Sequence, residues 1–298
     1  MDKKHLLALL SLLDEPSDDI FKTLEMELVS MGVDVIPTLE KKWESVSSEL
    51  AQNRIVELIH KIQFNDVKQQ LKMWAQNGGN DLFYGAYLVA KYHFPNLSYE
   101  MMNEVMNIIR RDIWFEINDQ QSALEKIRAF NRVFFSQYKF QRNPTDLFSI
   151  KNSLINSVLE SKRGNDISLG ILYMVLCQRL SLPVYGVNLP INFITAYMNV
   201  HPSPISIKKE PKDISSIDLS YSTILFFINP FIDGVILSKR DIDLFLEDQN
   251  IPSNPSYFRP TNNIQIINIL LHNLESCYDV GNSLVNVDEI QQLSLQLL

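Results

Sequence analysis

The residues of this chain that could do chemistry lie in one stretch, 163–193, which reads RGNDISLGILYMVLCQRLSLPVYGVNLPINF. The pattern predicts a capped helix start, a long apolar helix, a turn and a strand. A cysteine at such a helix start has its pKa lowered by the helix dipole, which favours the reactive thiolate. A histidine on the adjacent strand would serve as its base, and an aspartate on the next strand would orient that histidine. The chain instead carries Ser168 at the helix start and Asn192 on the strand.

Neither of these two side chains supplies that chemistry alone. An asparagine amide does not titrate near neutral pH, so Asn192 cannot act as a general base. A serine without a base is a poor nucleophile, and this applies to Ser168. Serine and asparagine can still hydrogen-bond as a neutral chain that holds a helix to a sheet. The stretch is therefore an altered active site or only the shape of one.

Two other residues could substitute for the missing groups. Cys177 lies nine residues after Ser168, and at about 100° per residue that spacing puts it on the opposite face of the helix, in the core. His201 lies nine residues after Asn192, and odd spacing along a strand puts it on the other face. The remaining histidines fall in predicted helices outside this stretch: His5, His60, His93 and His272.

Metal and cofactor sites are not indicated. No group of His, Cys or carboxylate residues has the spacing of metal ligands, and the nine glycines form no phosphate-binding loop. Asp233, Asp241 and Asp243 are close in sequence, but a turn residue, a helix cap and an exposed helix position explain them. We therefore expect no metal and no cofactor.

The composition predicts a globular, cytoplasmic protein. Of 298 residues, 46% are apolar, and the net charge is −8, which gives no general attraction for nucleic acid or anionic lipid. No run reaches the ~18 apolar residues that span a membrane. The basic and apolar start MDKKHLLALLSLL is followed by DEPSDD rather than by a signal cleavage site. The two cysteines, Cys177 and Cys277, are expected to be buried thiols in a reducing compartment.

Helical spacing dominates the first half of the chain and divides it into regions. Residues 1–79 are expected to be helical, and two short helices over residues 17–46 resemble a HEAT-type repeat. A second pair of helices is expected around NRIVELIHKIQ and DVKQQLKMWAQNG. Residues 80–250 are expected to form the core, and 251–298 a proline-containing linker and a final helical pair.

The period changes after Pro183 and predicts a small antiparallel sheet. PVYGVNL, FITAYMNV and STILFFINPF are short, β-branched and aromatic, as strands are. The Pro- and Ser-rich segment HPSPISIKKEPKDISSID is expected to be an exposed loop. Ser238 and Asp241 form a predicted capping box at the start of a helix. The expected fold class is α+β and mostly helical, with a small sheet packed on a central helix.

Five segments together resemble the transglutaminase-like core of SirB-type bacterial proteins. That family has R-x-G-N-P-I-S-L before the helix, G-V-x-x-P-G-H-F on a strand and D-P-F on a later strand. This chain shows KRGNDISL, GVNLPINF and NPFIDG in the same order, and NDLFYGAYLVAKY and NSLINSVLESKRG upstream also resemble family segments. The resemblance covers residues 80–245 and implies a papain-like core. It places Ser168, Asn192 and Asn229 at the Cys, His and Asp positions of the triad.

The resemblance leaves two functions open. One is a non-catalytic protein with a degenerate triad that binds a protein or peptide and regulates it. The other is a hydrolase or acyltransferase acting on peptide amides, with Ser168 at the nucleophile position and a base from elsewhere. A purely structural role is a third possibility. The residues expected to line the pocket are Arg163, Asn165, Tyr185, Phe193 and Phe231.

Overall fold

The chain divides into two compact units in a computed structural model that describes residues 3–146, 148–199, 223–281 and 284–298. The first unit comprises Met1–Gln70 and Tyr92–Pro95, and the second comprises Leu71–Lys91 and Asn96–Leu298. The helices are α1 Lys3–Ser11, α2 Asp18–Ser30, α3 Ile36–Ser45, α4 Glu49–Gln76, α5 Leu82–His93, α6 Tyr99–Trp114, α7 Ala123–Asn131, α8 Ile155–Ser161, α9 Asp166–Arg179, α10 Lys239–Asp248, α11 Asn263–Val280 and α12 Leu284–Ser294. The strands are β1 Gln141–Arg142, β2 Arg163–Gly164, β3 Val184–Asn188, β4 Phe193–Asn199, β5 Thr223–Asn229 and β6 Val235–Leu237.

The first unit is a helical layer around a core of leucine and isoleucine side chains from α1 to α4. Its Arg54 is 5% exposed and donates through Nη1 to the carbonyl oxygens of Leu13 and Glu15, at 3.1 and 2.6 Å. The guanidinium also lies over the Phe21 ring, 4.3 Å from its centroid. Because carbonyls near a helix end lack partners within the helix, this buried cation stabilises the turn after α1.

A single helix, α4, replaces the second pair of helices expected from the sequence. It runs for 28 residues, and its sequence contains no proline or glycine. Nothing therefore interrupts its backbone hydrogen bonds. The chain turns only at Gly78 and Gly79, whose φ angles are +89° and +62°. The prediction of two helices was wrong because a short polar segment does not end a helix without such a residue.

The second unit contains the predicted small sheet packed on a central helix. The four strands are antiparallel in the order β3-β4-β5-β6, and α9 packs against β3 and β4. All residues from Ile167 to Cys177 of α9 are buried. The α+β, mostly helical fold class is therefore confirmed, as are the predicted strands and the capping box at Ser238 and Asp241.

Other parts of this unit differ from the sequence expectations. The three-residue strand β6 and the two-residue parallel pair β1–β2 were not predicted, because neither is long enough to show a period of two. The predicted loop over residues 201–218 lies outside the described residues. The final helical pair is present as α11 and α12.

Phe193, the first residue of β4, joins the central helix to the sheet. Its side chain is 1% exposed and lies against two glycines. A Cβ atom on Gly170 in α9 would lie 2.6 Å from the Phe193 ring, and one on Gly186 in β3 would lie 2.4 Å from it. Both distances are shorter than any carbon–carbon contact, so the ring can occupy this position only between glycines.

We predict that Gly170→Ala destabilises the second unit. Overpacking of this kind costs about 1–3 kcal/mol, which outweighs the better helix propensity of alanine. The measurement is the urea unfolding midpoint at unchanged m value. Gly281→Ala is the control, because its φ is −79° and its Cβ would meet nothing closer than 3.4 Å. Equal stabilities for the two variants, or no recovery when Phe193→Leu is added to Gly170→Ala, would contradict the packing described.

Candidate functional site

The start of α9 is held by a reciprocal capping box. The Asn165 Oδ1 atom accepts a hydrogen bond from the Ser168 amide at 2.9 Å, and the Asn165 amide donates to Ser168 Oγ at 3.1 Å. The Ser168 hydroxyl itself donates to the Asn152 carbonyl oxygen at 2.6 Å, and the residue is 0% exposed. A Cβ on Gly164 would lie 2.6 Å from Ser168 Oγ, so glycine is required there as well. The serine hydroxyl is therefore buried and hydrogen-bonded to backbone groups.

A network of amide and hydroxyl side chains extends from this cap. Asn165 Nδ2 donates to Ser153 Oγ at 2.8 Å and to Asn273 Oδ1 at 3.1 Å. Asn143 Nδ2 donates to Asn152 Oδ1 at 2.9 Å. Asn152 and Ser153 are 2% and 0% exposed. All of these side chains are neutral, so the network can hold the helix start in place but cannot accept a proton from Ser168.

Asn192 and Asn229 lie near one end of two neighbouring strands. Thr195 and Ile228 are paired partners on β4 and β5, and Asn229 is the residue after Ile228. The Asn229 side chain is 4% exposed, and its Oδ1 accepts from the Phe231 amide at 3.0 Å. The Asn192 Oδ1 atom is buried, and it has no hydrogen-bond partner in the part of the chain that the structure describes.

The three side chains that the resemblance places at the triad positions have separate local surroundings. Among the described residues, no hydrogen bond joins Ser168, Asn192 and Asn229 to one another. Ser168 bonds to Asn152 and Asn165, and Asn229 caps the 3₁₀ turn Pro230–Ile232. An asparagine in that cap accepts a backbone hydrogen bond as an aspartate would, without a charge to orient an imidazolium.

Asp166 is the side chain that connects the helix start to the strand, and sequence reasoning did not single it out. It is the first residue of α9, half-buried, and its Oδ2 accepts from the Phe193 amide at 2.7 Å. Burial raises the pKa of this carboxyl, and hydrogen bonds from the Phe193 and Ile167 amides oppose the shift. The signal available in the sequence was an acidic residue directly after the Asn165 cap. Asp166 therefore acts as a clamp between helix and sheet, through the amide of the residue that follows Asn192.

The five residues expected to line a pocket are divided between core and partly exposed positions. Tyr185 and Phe193 are 7% and 1% exposed and belong to the core. Arg163, Asn165 and Phe231 are half-buried. Arg163 pairs with Gln141 across the short parallel ladder, and Asn165 is the cap described above.

The residues weighed as substitutes do not reach Ser168 in the described ranges. Cys177 is fully buried, and burial raises the pKa of its thiol well above the usual value. His93 belongs to the first unit, where burial lowers its pKa to about 4. His201 lies outside the described residues. Over the part of the chain that the structure describes, no group of three His, Cys, Asp or Glu side chains could hold a metal ion.

We predict that Asp166→Asn becomes more stable relative to the unaltered chain as the pH rises from about 4 towards 7. The folded state keeps the Asp166 proton to a higher pH than the unfolded state does. The unaltered chain therefore loses stability as the pH rises above 3.8, the usual pKa of this carboxyl. The amide oxygen of the variant can still accept from Phe193. The measurement is the urea midpoint of both proteins across this range.

The control for this experiment is Asp243→Asn, for which the opposite trend is expected when the pH range is extended below 3.8, the usual pKa of the carboxyl. Hydrogen bonds from Lys239 and Ser253 lower the pKa of Asp243. Its ionised form therefore stabilises the fold at a pH above the usual pKa of the carboxyl, and this stabilisation is lost as the pH falls below it. A pH trend for Asp166→Asn that matches the control in sign would show that Asp166 is not buried as described.

Comparison with known proteins locates this site within a family. The model of the transglutaminase-like superfamily matches residues 99–272. A UPF0162 protein of Vibrio cholerae is 22% identical over 199 residues, which are 66% of this chain and 66% of that protein. One of Pasteurella multocida is 33% identical over 79 residues, 26% of this chain and 30% of that protein. Human F-box only protein 21 is 33% identical over 79 residues, 26% of this chain and 12% of its own length.

The extent of these matches differs between the relatives. The chain spans 30% and 39% of the Pasteurella multocida and Xylella fastidiosa proteins that it matches, so the comparison covers only part of them. No solved structure matches significantly. The family match, however, covers more than half of the chain and includes α9, the four-stranded sheet and residues Ser168, Asn192 and Asn229. This chain belongs to the transglutaminase-like superfamily.

Proposed function

We propose that this chain is a non-catalytic member of the superfamily, with a degenerate triad at Ser168, Asn192 and Asn229, and that it works as a protein-binding or regulatory module. The observation that carries this proposal is the state of the Ser168 hydroxyl. It is 0% exposed and donates at 2.6 Å to a backbone carbonyl. A nucleophile needs a free lone pair, a base and access to substrate. Among the described residues, this hydroxyl is hydrogen-bonded to no base, and it is closed to solvent.

The alternative, a hydrolase or acyltransferase acting on peptide amides through Ser168, has less support. The groups hydrogen-bonded to Ser168 are the backbone and the side chain of Asn165 and the backbone of Asn152. Asp166 is the titratable residue of this helix start, and one of its oxygens is already bonded to the Phe193 amide. Among the described residues, no hydrogen bond joins the Asp166 carboxylate to the Ser168 hydroxyl, which donates to backbone carbonyls instead.

A row of exposed apolar side chains on α6 supports the binding role. Met101, Val105, Ile108 and Phe115 follow helical spacing and are 72%, 39%, 42% and 72% exposed. Trp114 is 58% exposed and contacts the Phe115 ring, with centroids 5.4 Å apart. We call these five residues the α6 stripe.

The α6 stripe is a second apolar face on a helix that already buries one. The buried face of α6 carries Met102, Met106, Ile109 and Ile113. Contiguous exposed apolar side chains that include a tryptophan are typical of protein interfaces. The proposed occupant is an apolar surface of another protein. The HEAT-type character of residues 1–79, the division into regions at 79 and 250, and a cytoplasmic location remain parts of this proposal, the last because Cys177 and Cys277 are free and buried.

The first test of the proposal is the reactivity of Ser168→Cys. Because position 168 is enclosed, we expect the introduced thiol to react with an aromatic disulfide reagent at least a hundredfold more slowly than that of Ser276→Cys, whose position is exposed. Both thiols should react equally in urea.

We also expect no peptide-amide hydrolysis or acyl transfer by the unaltered chain. Rapid native labelling of Ser168→Cys, or amide turnover that Ser168→Ala abolishes, would support the enzyme instead.

The second test concerns the α6 stripe. Proteins cross-linked through a photoreactive group at Met101 are identified, purified and titrated against the chain. We expect Met101→Lys with Phe115→Lys to weaken that binding at least tenfold, because lysine keeps these positions in water. Leu284→Lys with Val285→Lys is the control, since both residues are similarly exposed, at 77% and 70%, on α12. Equal weakening by both pairs, or no titratable partner, would rule out the stripe as the binding surface.

A further inference from the structure

A separate pocket of the second unit lies where α7 ends, and its lining includes neither Ser168 nor Asn192 nor any residue of the α6 stripe. Its volume is about 500 Å³, within the range of small-molecule sites. It is bounded by the end of α7, the π-helical turn Arg132–Gln137, the segment up to β1 and the turn at Asp233. Short π-helical turns inside α-helices occur frequently at functional sites.

Positive charge dominates the walls of this pocket. Arg128, Arg132 and Lys139 line it, against one carboxylate, Asp233. Arg132 forms an ion pair with Glu116. Within the described ranges, Arg128 and Lys139 form no ion pair. Two cations therefore face the pocket without being held in an ion pair, although Arg128 also interacts electrostatically with Glu125.

The pocket is held open by buried contacts rather than by its charged side chains. Asn131 Nδ2 donates to the Gly234 carbonyl oxygen at 2.9 Å, and Asn131 Oδ1 accepts from the buried Tyr173 hydroxyl at 2.7 Å. A Cβ on Gly234 would lie 2.5 Å from Asn131 and 2.6 Å from Phe135, so the turn is pressed against the π-helical segment. The charged side chains of the pocket therefore lie next to a closely packed, hydrogen-bonded part of the core.

Two lining residues adopt a backbone conformation that residues other than glycine rarely take. Lys139 has φ +62° and Asp233 has φ +48°. Such a conformation costs of order 1 kcal/mol or more and persists only where the surrounding structure enforces it. Lys139, just before β1, and Asp233, just before β6, both line this pocket.

We propose that this pocket binds a small molecule through an oxyanion, a phosphate or a carboxylate, with a hydroxyl or amino group of the same molecule bound to Asp233. The planar guanidinium of Arg128 matches the oxygens of either anion, and Lys139 adds a second positive charge. Phe135 and Phe140 supply the apolar part of the lining. Asp233 repels the oxyanion and accepts a hydrogen bond from the hydroxyl or amino group. It therefore orients the ligand with its oxyanion towards Arg128 and Lys139.

The experiment is a calorimetric titration of the full chain with glycerol 3-phosphate and, separately, with malate, at about 50 mM salt, where surface charges are weakly screened. Each probe carries an oxyanion and a hydroxyl, and the tighter of the two identifies the anion. Arg128→Gln and Lys139→Gln are each expected to weaken binding about tenfold. Arg142→Gln, an exposed position on β1 outside the pocket, should leave the affinity unchanged.

Asp233→Asn provides the sharpest discrimination, because asparagine tolerates this backbone conformation. The variant should bind inorganic phosphate more tightly than the unaltered chain, since the repulsion is removed. No binding of either probe, or equal losses in Arg142→Gln and Arg128→Gln, would overturn the proposed site. Unchanged phosphate binding by Asp233→Asn would overturn the role of Asp233.

Discussion

The hydrogen bond from the Ser168 hydroxyl to the Asn152 carbonyl is the constraint on which the rest of the second unit depends. It is 2.6 Å long and closed to water, and it fixes where α9 begins. Gly164 must be glycine because Ser168 Oγ occupies the space of a Cβ. Once α9 is fixed, Asp166 meets the Phe193 amide and the Phe193 ring fits between Gly170 and Gly186. These contacts together fix the position of the helix start relative to the sheet.

The proposed non-catalytic role agrees with this constraint. In a working triad the polar groups between helix and sheet must titrate, and a buried charge is costly unless it is paired. Here neutral amides and hydroxyls hold the helix start without that cost. The contact from the helix start to the sheet is made by the Asp166 carboxylate, which the Phe193 and Ile167 amides stabilise. Fold and function separate at this point, because function depends on the side chains at the site rather than on the architecture that carries them.

Much of the fold could be predicted from the sequence, and less of the site. The strands β3, β4 and β5 and the capping box at Ser238 follow from period and residue type, which are local properties. The roles of Ser168 and Asp166 could not be predicted, because they depend on Asn152 and Phe193, 16 and 27 residues away. The π-helical turn after α7 has no sequence signature either, and it shapes the pocket at Lys139.

The most direct test of this account is native-state hydrogen exchange at the start of α9. If the polar network is a permanent part of the core, the Ser168 and Asn165 amides should exchange only when the second unit unfolds, with the same free energy as the buried amides of Leu172 and Leu176. If the helix start is instead an active site that opens to substrate, these two amides will exchange by local opening, much faster than those of the helix centre. That result would contradict the structural role assigned to Ser168.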